Sequence, residues 1–303
     1  MRILVLGSSG LLGANFVMSA LDRGHIVYPH CFSHAVYFPG LDPIILDLTS
    51  SLNIDNMISD IKPDWIVNCV AATDVDKCEI DKSWAQTLND DIVFDLSSIC
   101  SEYGVKLVHI STDMVFDGID GGYNELDRPN PINTYGLTKL SGEMGAHENL
   151  LELIIARTTI YGWNVQNKKS LAEWGLSEIR AGRSITGYDN ILFSPILVND
   201  LSHVLLTMMN KRLYGLYHIG GGEAISKYSF LVKMAEIFGE DVKLVKRGKY
   251  KYYPPKAQRP ENLILNSILA WRGIGEAPPS VEEGLLRFKR LEDIEYLEKV
   301  LIK

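Results

Sequence analysis

This sequence of 303 residues predicts a doubly wound α/β fold, a parallel Rossmann-type sheet covered by helices on both faces, with a smaller C-terminal substrate-binding domain. Three observations predict it. Short apolar runs alternate with longer amphipathic stretches through the first half, the pattern of βαβ units. A glycine-rich turn directly follows the first apolar run. The chain, 46% hydrophobic, is long enough to bury a full core.

Taken in order, apolar runs predict strands over 3–6, 26–28, 44–46, 65–70, 106–110 and 153–156. Between them, helical spacing predicts helices over 11–23, over 51–61 with Pro63 as the stop, over 82–103 with Gly104 as the stop, and over 134–148. Beyond Tyr161 the alternation fades, leaving helices near 171–181 and 200–209 and an apolar run at 216–219. Ser226 caps an expected helix that runs to Phe238 and ends at Gly239, and Ser280 with Glu283 forms a capping box for a last one. Pro254, Pro255 and Pro260 break regular structure between these two helices. The expected division is a nucleotide domain over 1–160, rejoined by 196–220, and a smaller domain from 161–195 and 221–303.

The net charge of −8 argues against nucleic acid or an anionic membrane as partner, so any bound anion must be held by local positive groups. The first apolar run is too short for a signal-peptide core and no stretch approaches a membrane span, which predicts a cytoplasmic protein. Cys31, Cys69, Cys78 and Cys100 are scattered, which suits reduced thiols and predicts no metal site.

The turn Gly7-Ser8-Ser9-Gly10-Leu11-Leu12-Gly13 lies between the first strand and the first helix, where a dinucleotide pyrophosphate sits on a helix N-terminus. Gly7 permits the tight turn, Gly10 the approach of phosphate to bare N–H groups, and Gly13 close packing of helix on strand. Ser9, Leu11 and Leu12 complete the expected contact surface. NAD recognition uses an acid at the end of the second strand, and residues 27–34 contain none. NADP (as NADPH) is therefore the expected cofactor, with NAD the alternative.

Tyr135 and Lys139 stand one helical turn apart and point from one face. A nearby ammonium favours phenolate, which predicts a lowered Tyr135 pKa and a residue able to exchange a proton with a substrate oxygen. Ser111-Thr112-Asp113 stand at the C-terminal end of the fifth expected strand, where α/β sheets place ligands, and the Thr112 hydroxyl is expected to donate to the reacting carbonyl. Tyr252 and Lys256 repeat the spacing, but they enclose Pro254 and Pro255 and cannot lie on a regular helix.

Together these residues resemble the dTDP-4-dehydrorhamnose reductase family of extended short-chain dehydrogenases. The resemblance rests on the glycine turn, residues 67–72 followed by Asp74-Val75-Asp76-Lys77, the run Ser111-Thr112-Asp113-Met114, Tyr135 with Lys139, Gly142-Glu143, Ala156-Arg157-Thr158, and Arg259-Pro260. It implies reduction, by NAD(P)H, of the 4-keto group of a dTDP-linked 6-deoxyhexulose. It also implies a catalytic trio of Thr112, Tyr135 and Lys139, with Val75, Asp113 and Arg259 near the substrate. Further cofactor contacts are implied at Asp47, Leu48, Ala71, Ala72 and Thr158. Met114 stands where relatives often carry an aromatic residue, and where related dehydratases carry a glutamate, so dehydration is not expected.

From Val242 to Pro260 there are seven basic residues and no acid, interleaved with Tyr250, Tyr252 and Tyr253. Such a stretch can clamp a nucleotide diphosphate or be a solvated loop, and at Arg259 the resemblance favours the clamp. Two other functions stay open: a cofactor-binding regulatory subunit like the β subunit of methionine adenosyltransferase, which belongs to the same family, and a sugar-nucleotide epimerase. The expected partner is a nucleotide sugar, and a homodimer is a compatible assembly.

Overall fold

The computed structural model describes residues 1–166 and 168–296. The last seven residues of the expected smaller domain lie outside that range. Strands β1 (Arg2–Leu6), β2 (Ile26–Cys31), β3 (Ile44–Ile45), β4 (Trp65–Asn68), β5 (Lys106–Thr112) and β6 (Leu153–Thr158) join a late strand, Gly215–Ile219, in one parallel sheet of seven. From one edge the order is the late strand, β6, β5, β4, β1, β2, β3, so the direction of winding reverses between β1 and β4. Ligands of open α/β sheets bind at such a reversal.

Both faces of the sheet are buried, which is why its strands read as continuous apolar runs rather than alternating ones. One face packs Phe16 and Val17 of helix α1 (Leu11–Asp22) with Leu201, Leu205 and Trp271. The other packs Ile54 and Ile58 of α2 (Ser51–Ile61) with Val93 and Leu96.

Strand ends depart from expectation for visible reasons. β4 stops at Asn68, not at residue 70, because the Val70 N–H donates to the Asn68 side chain at 3.0 Å and leaves the ladder. β5 runs two residues further than expected, since its register with β6 extends to Thr112 opposite Thr158. A short helix, α3 (Val75–Ile80), was not expected; Asp74 caps it by accepting the Lys77 N–H. The expected helix over 82–103 divides into α4 (Lys82–Gln86), a π turn over Thr87–Asp91 and α5 (Ile92–Tyr103). The widened turn seats Asn89 inside the protein, where it holds Ala72 N–H at 2.8 Å and Thr138 Oγ1 at 3.0 Å.

Helix α6 (Thr134–Asn149) starts at Asn133, whose side chain accepts the Gly136 N–H. In the C-terminal half, helices Leu171–Arg180, Lys227–Phe238 and Val281–Asp293 surround a separate core containing Tyr161, Phe230, Leu285 and Phe288. Ser226, Gly239 and the Ser280–Glu283 capping box act as their sequence predicts. Residues 268–274, assigned by the expected division to the smaller domain, form a helix, Ile268–Ile274, that packs on the sheet side through Trp271, whose indole donates to Gly220 O at 2.9 Å.

Candidate active site

A cleft of about 770 Å³ opens along the C-terminal edge of the sheet, beside the reversal between β1 and β4. At one end lies the glycine turn. Gly7 has φ +73°, the left-handed region, and a Cβ at Gly13 would stand 2.8 Å from Ser8 Cα and closer still to Gly7 O. Helix α1 begins there with no side-chain cap and no acid in its first turn, which leaves its leading N–H groups turned toward the cleft.

At the other end, β5 delivers Thr112 and Asp113 and α6 delivers Tyr135 and Lys139. Between the two ends, Asp47, Leu48, Ala71, Val75 and Thr158 line the walls, with Ser9, Leu11 and Leu12 beside the glycines. Ala72 is fully buried behind the wall: its N–H goes to Asn89, and its carbonyl accepts the Cys78 thiol. Its expected contact with cofactor therefore has no backbone group left to make it.

Arg259 is also absent from the cleft lining. Its guanidinium donates to Asp76 Oδ1 at 2.9 Å and to Ala257 O at 2.8 Å, so the cation expected to clamp a diphosphate is engaged by the carboxylate beside Val75. The other basic residues of that stretch are exposed. Arg247 lies over the Tyr228 ring at 4.7 Å.

The electrostatics correct one expectation directly. Burial pushes the Tyr135 phenol well above its ordinary value, with the Asp113 charge adding to the effect and a hydrogen bond with Thr112 opposing it. Lys139 does not depress it. The ammonium nitrogen is buried, lies 2.7 Å from Ile110 O and 3.2 Å from His109 Nε2, and burial brings its pKa down to about 8. Asp113 is pushed up to about 7 by burial, opposed by the Thr112 hydrogen bond and the charge of Lys227. Thr112 donates to Asp113 Oδ1 at 3.2 Å and accepts the Met114 N–H, so it also caps the turn after β5.

Several cleft residues escaped sequence reasoning. Asn164, Gln166, Lys168, Lys169 and Ser170 form one wall, and Lys168 donates to Thr73 across it. Their only sequence signal is the capping box of Ser170 and Glu173, which marks a helix start rather than a wall. Trp84 of α4 and Leu88 of the π turn also line the cleft.

The family model described as RmlD substrate binding domain matches residues 1–290. The chain belongs to the RmlD substrate-binding-domain family. Among its relatives, the dTDP-4-dehydrorhamnose reductase of Salmonella typhimurium is 30% identical over 95% of this chain and 96% of its own. The methionine adenosyltransferase 2 subunit beta of Bos taurus is 29% identical over 95% of this chain and 88% of its own. The crystal structure of dTDP-4-dehydrorhamnose reductase from Bacillus anthracis in complex with NADP superposes with a TM-score of 0.85 at 27% identity, covering 95% of this chain and 98% of that one. The RmlD-family match takes in the strand ends that build the cleft as well as the C-terminal helices.

Proposed function

We propose that the protein is an NAD(P)-dependent oxidoreductase that reduces the 4-keto group of a dTDP-linked 6-deoxyhexulose, as in the formation of dTDP-L-rhamnose. One observation carries the reading: the Tyr135 phenol, the buried Lys139 and the Thr112 hydroxyl open onto the same cleft as the glycine turn. Uncapped N–H groups at the start of α1 suit the pyrophosphate, and the absence of an acid at the end of β2, where His30, Phe32 and Ser33 line the cleft, favours NADP over NAD. Bound there, a reduced nicotinamide supplies the hydride.

The chain's own residues then manage the proton. Because burial keeps the Tyr135 phenol protonated through the neutral range, Tyr135 is the donor to the substrate oxygen as that oxygen gains charge. Thr112 orients the same oxygen, and Lys139, which lines the same cleft one helical turn along, holds the ribose hydroxyls of the nicotinamide. The elevated Asp113 carboxyl, at the strand end beside Thr112, meets the sugar. Arg259, fixed by Asp76, holds the segment over Val75 that borders the substrate end.

The decisive experiment measures NADPH and NADH oxidation by the purified protein with a panel of nucleotide-linked 4-keto sugars. The expected result is turnover of the dTDP-linked 6-deoxy sugar, faster with NADPH. Cofactor binding without oxidation on any of them would overturn the reading. The 29% identity to a methionine adenosyltransferase β subunit favours a non-catalytic regulatory role as the successor.

A further inference from the structure

Behind Lys139 lies a buried chain of polar groups that the proposed reduction leaves unused. Lys139 Nζ is 3.2 Å from His109 Nε2, and His109 Nδ1 is 3.4 Å from Asn68 Nδ2. His109 and Asn68 are both fully buried, so neither exchanges these partners for water. The orientation of Asn68 is fixed by chemistry. Its Oδ1 accepts the Val70 N–H at 3.0 Å, and only an oxygen can do so; the amide NH2 must therefore face the imidazole.

An NH2 group can only donate, so its contact is satisfied only if His109 Nδ1 accepts. The neutral ring then carries its proton on Nε2, directed at Lys139. An ammonium has no lone pair to receive it, whereas a neutral amine has one. If Lys139 is charged instead, Nε2 must accept, the ring proton moves to Nδ1, and an N–H meets the Asn68 NH2. One arrangement satisfies both contacts with Lys139 neutral; every arrangement with Lys139 charged leaves one opposed.

We propose that Asn68 and His109 are positioning residues that set the pH at which Lys139 gains and loses its proton, by tying that proton to the tautomer of the His109 ring. The two tautomers hold the same number of protons, so the only proton exchanged with solvent is that of Lys139. The burial of the imidazole, which lies against a lysine, holds its own pKa well below the ordinary value and keeps it neutral throughout. The other groups facing Lys139 act in the opposite direction: Glu143, one turn along α6 and engaged by Arg157 of β6, and the Cys69 thiol from the turn after β4 both favour the charged amine. Tyr135 faces the same cleft from the turn before. The inference rests on the proposed role of Lys139 in reduction, but the state of the His109 ring can be read without any substrate.

The test uses the whole protein with histidine labelled by 15N, the His109 signals being assigned through their loss in His109→Gln. The Nδ1–H tautomer is expected at the acid end of a titration from about pH 6 to pH 10, giving way to Nε2–H with a midpoint at the Lys139 ionisation. A ring that keeps one tautomer across that range overturns the proposal, whatever sugar the protein reduces. Asn68→Asp supplies the second arm, since a carboxylate still accepts the Val70 N–H and also accepts from Nδ1–H at every pH. That variant should hold His109 as the Nδ1–H form and move the alkaline limb of NADPH oxidation upward by about one pH unit or more. An unshifted limb in a folded, cofactor-binding variant would also sink it.

Discussion

The chemistry of the cleft turns on Tyr135, whose hydroxyl proton burial retains at neutral pH. Tyr135→Phe removes one oxygen and little volume, and the glycine turn is untouched, so NAD(P)H should still bind while reduction falls by about 10²–10⁴-fold. Fluorescence of bound NADPH and steady-state turnover read the two effects separately. Wild-type turnover in the variant would remove Tyr135 from the chemistry. The placement of this residue was legible, because a phenol and a lysine one helical turn apart share a face wherever the helix goes. The electrostatic balance was not, because it depends on depth of burial, and spacing carries no information about depth. Arg259 illustrates the same limit: the sequence marks it as a cation in a basic stretch, but its partner Asp76 lies far along the chain. Since Asp76 also accepts the Ala257 N–H at 2.9 Å, Asp76→Ala and Arg259→Ala should raise the KM for the sugar nucleotide by similar factors, and the double variant by no more than either. Additive effects would mean that the two side chains act independently.

At the scale of elements, the apolar runs and glycine stops located the sheet because a strand buried on both faces needs no long-range information to be recognised. The pieces that were missed are those whose form depends on contacts distant in sequence: the π turn seats Asn89 against the Ala72 backbone, and the wall of Asn164, Gln166, Lys168, Lys169 and Ser170 borders the cleft without any periodic pattern. A buried ion pair joins the elements behind the site. Arg157 of β6 donates to both carboxylate oxygens of Glu143 on α6, Ser111 of β5 donates to the same carboxylate, and His218 of the strand Gly215–Ile219 lies 3.4 Å from the guanidinium. Arg157 is 3% exposed and Glu143 4%, so removal of the acid leaves a charge that water cannot reach. Glu143→Ala should cost roughly 3–5 kcal/mol in urea unfolding, more than its contacts alone would suggest. A loss below about 1 kcal/mol would mean that water reaches Arg157 after all.

At the scale of the whole molecule, two sets of buried groups act against each other as the pH falls. Burial brings His218 down to about 4, the Arg157 charge adding to the effect, and burial also lowers His30 and His109. Bases whose folded pKa is depressed contribute stability that is present above their unfolded value near 6.5 and is lost as the pH falls through the folded value. Asp113 behaves in the opposite way. With its folded pKa raised to about 7, its contribution is greatest below its unfolded value and is lost as the pH climbs toward 7, so on acidification it offsets the histidines. For His218 and Asp113 the shifts correspond to terms on the order of 3–4 kcal/mol each, enough for one to mask the other between about pH 4 and pH 7. Asp113→Asn removes the masking term. The variant should be more stable than the wild type at pH 7.5, where it no longer buries a carboxylate, and should lose that advantage by pH 4.5, so its stability falls more steeply on acidification. Thermal midpoints at pH 4.5, 6 and 7.5 measure the difference, at about 2–4 °C per kcal/mol for a chain of this size. Parallel curves for the two proteins would show that Asp113 is ionised in the folded state across the whole range, and would remove it as the counterweight to the buried histidines.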